Sequence, residues 1–169
     1  KSDFVKVKGF DSHYYPGEDT KLCLDLTHKL GKVIVYEPEA LVYHHRHPVL
    51  IPHLKQNGNY GLHRGFFARV LPKTSLRPLY FLPSLMALGL VFLFSSPLYT
   101  HPLLDLITQI GLTLFGFYLG ALCLNALWIL NYSYSSLQAF LSPFVVFITH
   151  FWYGLRFLQG FLFTRQLNR

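Results

Sequence analysis

One stretch constrains this chain more than any other. From Pro78 to Leu155 it carries a single formal charge, Asp105. Soluble domains carry roughly one charged residue in four, so a run of this length cannot form an ordinary water-facing surface. The segment before it has the opposite character. The first 77 residues hold twelve of the fifteen Lys and Arg and seven of the eight Asp and Glu. A soluble enzyme is excluded, and a polar segment joined to a membrane segment is expected.

The apolar part divides into three runs. Leu79–Ser96 has 18 uncharged residues, about 27 Å as a helix at 1.5 Å per residue, just enough for a hydrocarbon core of roughly 30 Å. Pro78 precedes it, Pro97 ends it, and Pro83 is tolerable in the first turns. Leu103–Leu130 would extend about 42 Å at the same rise and must tilt or project. The third run starts at Leu137, meets Arg156 and continues as FLQGFLF. Helices are therefore expected near residues 79–96, 103–130 and 137–163.

The basic residues set orientation. Arg46 to Arg77 contains six Lys or Arg and no acid, which by the positive-inside bias places residues 1–77 in the cytoplasm of a multi-pass cell-membrane protein. That crowding beside the first apolar run also accounts for the net charge of +7 through membrane lipids, with no nucleic acid as partner. Three crossings would leave Arg165 and Arg169 outside, against the same bias. A third run lying at the interface would not, and His150, Trp152, Tyr153, Arg156 and Gln159 are interfacial types. Two cysteines, Cys23 and Cys123, supply neither a disulfide framework nor a metal cage. The chain opens on KSDFVKVKGFD, without initiator Met or signal peptide, and reads as the C-terminal part of something longer.

In the polar half, Phe4–Val7 reads as a short strand and Gly9-Phe10-Asp11 as a turn. Pro16-Gly17 is a second turn that delivers Glu18 and Asp19 to the start of a helix. Leu22, Leu26 and Leu30 give that helix its period and Gly31 its stop. Acids at that end serve either as a cap, favoured by the macrodipole, or as functional carboxylates. Val33–Tyr36 reads as a second strand, followed by alternation through Ala40, Val42 and His44. The cluster His44, His45, His47 matches no closed zinc spacing, so surface histidines and a divalent-metal ligand both remain open. Residues 48–77 contain an expected amphipathic interfacial helix over Val49–Leu71. Its Gly58, Gly61, Gly65 and Ala68 form a small-residue stripe that permits close approach of another helix or a ligand.

GFDSHYYPGEDTKLCLDLTHKLGKVIVYEPEALVYHH resembles the C-terminal half of the catalytic domain in family 2 glycosyltransferases of the GT-A fold. Those enzymes typically read GGFDE, then GED-x-DLC-x-R-L, a Gly, and a strand ending P-x-A-x-V-x-H. The similarity covers residues 5–45. It departs at Lys8 for the first Gly, Ser12 for an acid, Lys21 for the usual Asp and Asp25 for the common Arg. QNGNYGLHRG resembles a relaxed Gln-x-x-Arg-Trp segment of membrane-attached members, with Gly65 in place of the Trp. HFWYGLRFLQG resembles the H-x-x-YG-x-x-F-x-x-G run closing their last apolar segment.

The resemblance implies an α/β fragment over residues 1–47, the C-terminal part of a GT-A catalytic domain, followed by a linker at 48–77. A transmembrane region of about three helices then fills 78–169. It further implies inverting transfer from a nucleotide-sugar donor to a lipid-linked or glycan acceptor at the cytoplasmic face. Asp19 would be the base that takes the acceptor proton, and Glu18 would orient it. Gln56, Tyr60 and Arg64 would bind substrate, and His44 would be a third ligand to Mg2+ or Mn2+. That cation neutralises the leaving diphosphate and would be held mostly by an Asp-x-Asp motif outside these residues. The chain alone is expected to transfer no sugar. A non-catalytic membrane anchor or assembly subunit is the alternative, and a small transporter a third class.

Overall fold

The computed structural model describes residues 1–15, 17–43, 50–98, 100–132 and 135–167. Of these, 78% are helical and none lies in a strand. The expected α/β fragment is therefore corrected to an all-helical chain among the described residues. Phe4–Val7, expected as a strand, falls mostly within a short helix α1, Ser2–Lys6. Val33–Tyr36 takes no regular secondary structure and stands 56–87% exposed. Extended backbone becomes sheet only when a second strand satisfies its N–H and C=O groups, and none runs beside it among the described residues.

Helix α2, Glu18–Leu24, is entered from Gly17 and passes into a π turn, Asp25–Lys29. Gly31 takes a positive φ of 62°, and Lys32 N–H donates to Leu26 O at 3.0 Å, closing the helix as a glycine C-terminal stop does. Helix α3 runs Ile51–Val70, and the short α4, Pro72–Ser75, turns away from it. Three long helices follow: α5, Pro78–Ser95, α6, Pro102–Tyr132, and α7, Ser136–Leu162. All three are long and apolar enough to cross a membrane.

Two compact units form. The first comprises residues 1–80 together with 156–169. Its core is built by Phe66, Phe67 and Leu71 of α3 and the turn after it, with Tyr14, Leu24 and Leu167 packed around them. The small-residue stripe of α3 meets the last turns of α7. A Cβ on Gly65 would run into Phe157 O, and a Cβ on Gly160 would run into Leu62 O. Each glycine thus admits the other helix's backbone, the close approach that such a stripe allows. Arg69 completes the junction, with one guanidinium nitrogen donating to Phe161 O at 3.2 Å and the other to Thr164 O. Phe161 O is one of the carbonyls left unsatisfied in the last turn of α7, and Thr164 O lies just past it.

The second unit, residues 81–155, turns its large side chains outward. Phe94, Phe117 and Phe140 are 74–85% exposed, a surface suited to lipid tails rather than water. Its internal contacts include ring packing of Phe115 on Phe147, centroids 6.2 Å apart, and several small or polar ones. Gly154 abuts the Pro83 carbonyl, the buried Ser84 hydroxyl donates to Gly154 O at 3.0 Å, and Tyr118 Oη lies 3.0 Å from His150 Nδ1.

Candidate functional site

The Gly17 turn fixes where the two candidate carboxylates stand. A Cβ there would strike the Phe67 ring, so only glycine lets the start of α2 rest on α3. Tyr14 packs on the same ring, centroids 6.2 Å apart. Glu18 and Asp19 then occupy the first turn of α2. Asp19 is exposed, and its Oδ1 accepts the Thr20 N–H at 2.6 Å. Glu18 differs from it. Its Oε2 is buried with no hydrogen-bond partner among the described residues, a state that costs free energy unless something else fills it. One carboxylate is thus offered to solvent and its neighbour is turned inward.

Asp25 anchors the other end of α2. It is buried, with Lys21 Nζ at 2.5 Å from one carboxylate oxygen and Lys29 Nζ at 3.0 Å from the other. Burial works to raise its pKa, but hydrogen bonds from the two lysines more than offset that and hold the carboxyl below its ordinary value. Lys21 and Asp25 are two of the positions that depart from the glycosyltransferase pattern, where Asp and Arg are usual. Their charges are exchanged, and they bond each other. Lys8, a third departure, sits at φ 65° beside Gly9 at φ 67°. That is the left-handed region where glycine is preferred, and the pattern carries glycine there.

Gln56, Tyr60 and Arg64 recur one turn apart along α3, and the structure occupies them within the chain. Gln56 Nε2 donates to Tyr60 Oη at 3.2 Å. Arg64 donates to Ser75 Oγ at 3.3 Å and lies over the Tyr80 ring, 5.1 Å from its centroid. Arg64 therefore fastens the corner formed by α3, α4 and the start of α5. Among the described residues no hydrogen bond or ion pair joins these three to Glu18 or Asp19. His44, the expected metal ligand, lies outside the described residues. Among those described, no three His, Cys, Asp or Glu gather closely enough to hold a cation.

A second feature escaped the sequence reading. Beside the α3–α7 junction lies a cleft of about 940 Å3 whose lining includes Asn59 and His63 from α3, Arg156 and Gln159 from α7, and Arg165 beyond it. Arg156 donates to Gln159 Oε1 at 2.5 Å. Burial, and then the charge of Arg156, push the His63 imidazole below its ordinary value, so it is neutral at pH 7. The small residues of α3 permitted a helix or a ligand to approach, and Gly160 is the matching small residue of α7. Nothing local announced that docking would bring Arg156 to His63.

No family model, curated protein or solved structure matches this chain.

Proposed function

We propose that this chain is the acceptor-side and membrane-embedded part of an inverting glycosyltransferase similar to family 2. The observation that carries this reading is the exposed Asp19 carboxylate on a turn fixed by Gly17, within a motif that keeps the order and spacing of the GED segment. Asp19 takes the proton from the acceptor hydroxyl as that oxygen attacks the sugar's anomeric carbon. Glu18, with one oxygen turned inward, positions the turn that holds Asp19. The reciprocal charges of Lys21 and Asp25, and the left-handed Lys8, support the resemblance at positions where residue identity had departed from it. The donor is a nucleotide sugar and the acceptor a lipid-linked sugar or glycan. The divalent cation is assigned to ligands outside the described residues, and donor binding to none of them.

Residues 1–77 lie at the cytoplasmic face of the cell membrane in this proposal, because six Lys or Arg and no acid fill Arg46–Arg77. The contact of Gly65 with Phe157 and of Arg69 with Thr164 supports assigning the end of α7 to that same face. The chain then crosses the bilayer an even number of times between Tyr80 and Arg156. Of three helices long enough to span, one does not complete a crossing. This removes the conflict between three spans and the basic Arg165.

The test is sugar incorporation into lipid extracts by membranes carrying this chain within the complete glycosyltransferase of which it is proposed to be part. Asp19→Asn should lower turnover by at least about a thousandfold while leaving nucleotide-sugar binding within a fewfold. Activity retained by Asp19→Asn would refute the base assignment. The anchor reading is favoured by one observation: Gln56, Tyr60 and Arg64 bond within the chain rather than facing a substrate. It expects carboxylate substitutions to change stability only.

A further inference from the structure

We infer that the cleft beside the α3–α7 junction is a binding site for the phosphate group of a membrane lipid. The inference rests on the membrane reading of α5–α7 and is independent of sugar transfer.

Arg156 and Arg165 both line the cleft, and none of its described lining residues is acidic. From Ala40 to the C-terminus the only acid in the sequence is Asp105. Two guanidiniums brought to one concavity, with no carboxylate among its described lining residues, favour an anion, and guanidinium forks match phosphate oxygens in geometry as well as charge. The hydrogen bond from Arg156 to Gln159 fixes the guanidinium's direction, which lowers the entropy lost on binding. Asn59, Gln159 and Gln166 add amide donors that suit the remaining phosphate oxygens.

Position selects the source of that phosphate. Arg156 is the first charge after the uncharged part of α7, the depth at which a basic side chain reaches the headgroup layer. Leu62 and Phe163 line the same cleft, giving it an apolar wall beside its polar one. A volume of about 940 Å3 exceeds what bare phosphate needs and falls within the range of small-molecule sites, leaving room for the glycerol or sugar that a lipid phosphate carries. Arg69 already serves the terminal carbonyls of α7, so their partial negative charge is covered by a third guanidinium.

The test uses the full chain purified in a neutral detergent, with fluorescent phosphatidic acid as probe and fluorescent phosphatidylcholine as control. Phosphatidic acid should bind at least about tenfold more tightly than phosphatidylcholine. The double variant Arg156→Gln, Arg165→Gln should lose that margin, while Lys55→Gln, a charge removed elsewhere on α3, should keep it. Arg165→Glu lies past the last helical turn, so it tests the site without touching the helix junction, and it should weaken phosphatidic acid by a similar factor. Inorganic phosphate or glycerol phosphate at millimolar concentration should displace little of the probe. Displacement of the probe by either soluble phosphate at matched concentration would overturn the lipid source in favour of a free phosphate. Equal binding of the two lipids, or an unchanged margin in both arginine variants, would overturn the site itself.

Discussion

The two units use the same contact and set it in different solvents. In the polar unit, Gly65 and Gly160 let α3 and α7 touch backbone to backbone, beside Phe66 and Phe67, which are 7% and 2% exposed. In the apolar unit, Gly154 admits the Pro83 carbonyl just as closely, yet Phe94 and Phe140 stand 85% and 80% exposed. Close glycine packing is common to both; fully buried aromatic rings belong to the first, while the second buries Leu90 and Leu122, 8% and 7% exposed, and leaves Phe94 and Phe140 outside. Water drives aromatic rings inward, whereas lipid tails are as apolar as the rings and leave only packing and hydrogen bonds to hold helices together. Buried aromatic rings thus hold the first unit, whereas small-residue fit, the Ser84 hydrogen bond and a few buried aliphatic side chains hold the second.

Paired substitutions at the two glycine contacts should break this comparison most visibly. Gly65→Ala forces α3 from α7 and uncovers the Phe66–Phe67 core, so it should cost about 3 kcal/mol, the upper end for overpacking. Gly154→Ala should cost about 1 kcal/mol, because the separated faces meet lipid. Thermal unfolding in detergent micelles reads both; equal losses would mean that the two units are held in the same way.

Next in size is the ion-paired carboxylate under α2. Asp25→Asn leaves Lys21, whose side chain is only 14% exposed, without its anion, and should cost about 1–2 kcal/mol. The pH dependence has a definite sign. The folded carboxyl lies below its ordinary value of 3.8, so this stabilisation is fully present above that pH and is lost as pH falls through the folded value. Acid titration of unfolding, wild type against Asp25→Asn, should show curves that converge as pH falls through the folded value. The smallest expected effect is a gain: Lys8→Gly relieves a left-handed side chain at φ 65° and should stabilise by about 0.5–1 kcal/mol. No gain in denaturant midpoint would remove Lys8 from the positions that support the family resemblance.

The membrane helices were legible because their signal is additive. Long uncharged runs bounded by Pro78, Pro97 and the NYSYSS connection leave few alternatives, and the helices fall within a few residues of the expected ranges. The start of α2 was legible from Pro16-Gly17, and its stop from Gly31, because both are local backbone requirements. The strands were not. Val33-Ile34-Val35-Tyr36 has every local mark of a strand, but a strand is a relation between two segments, and β-branched residues cannot supply the partner. Phe4–Val7 went to helix for the same reason. The acids at α2 were visible, but their difference was not: only packing turns one Glu18 oxygen inward and leaves Asp19 in solvent. The phosphate cleft was illegible, since His63 and Arg156 are remote in sequence and meet only once α3 and α7 dock.

The central claim is that the polar segment and the end of α7 form one unit at one membrane face. Cys23 is an exposed native thiol in that segment. In a Cys123→Ser background, Cys23 marks one side, and Gln166→Cys, in a second variant with Cys23→Ser, marks the other end. Labelling sealed vesicles of known orientation with a membrane-impermeant maleimide measures both. The account predicts that the two thiols react from the same side of the membrane. Reaction from opposite sides would contradict it, because three complete crossings would then separate Arg156–Arg169 from the helix on which they pack.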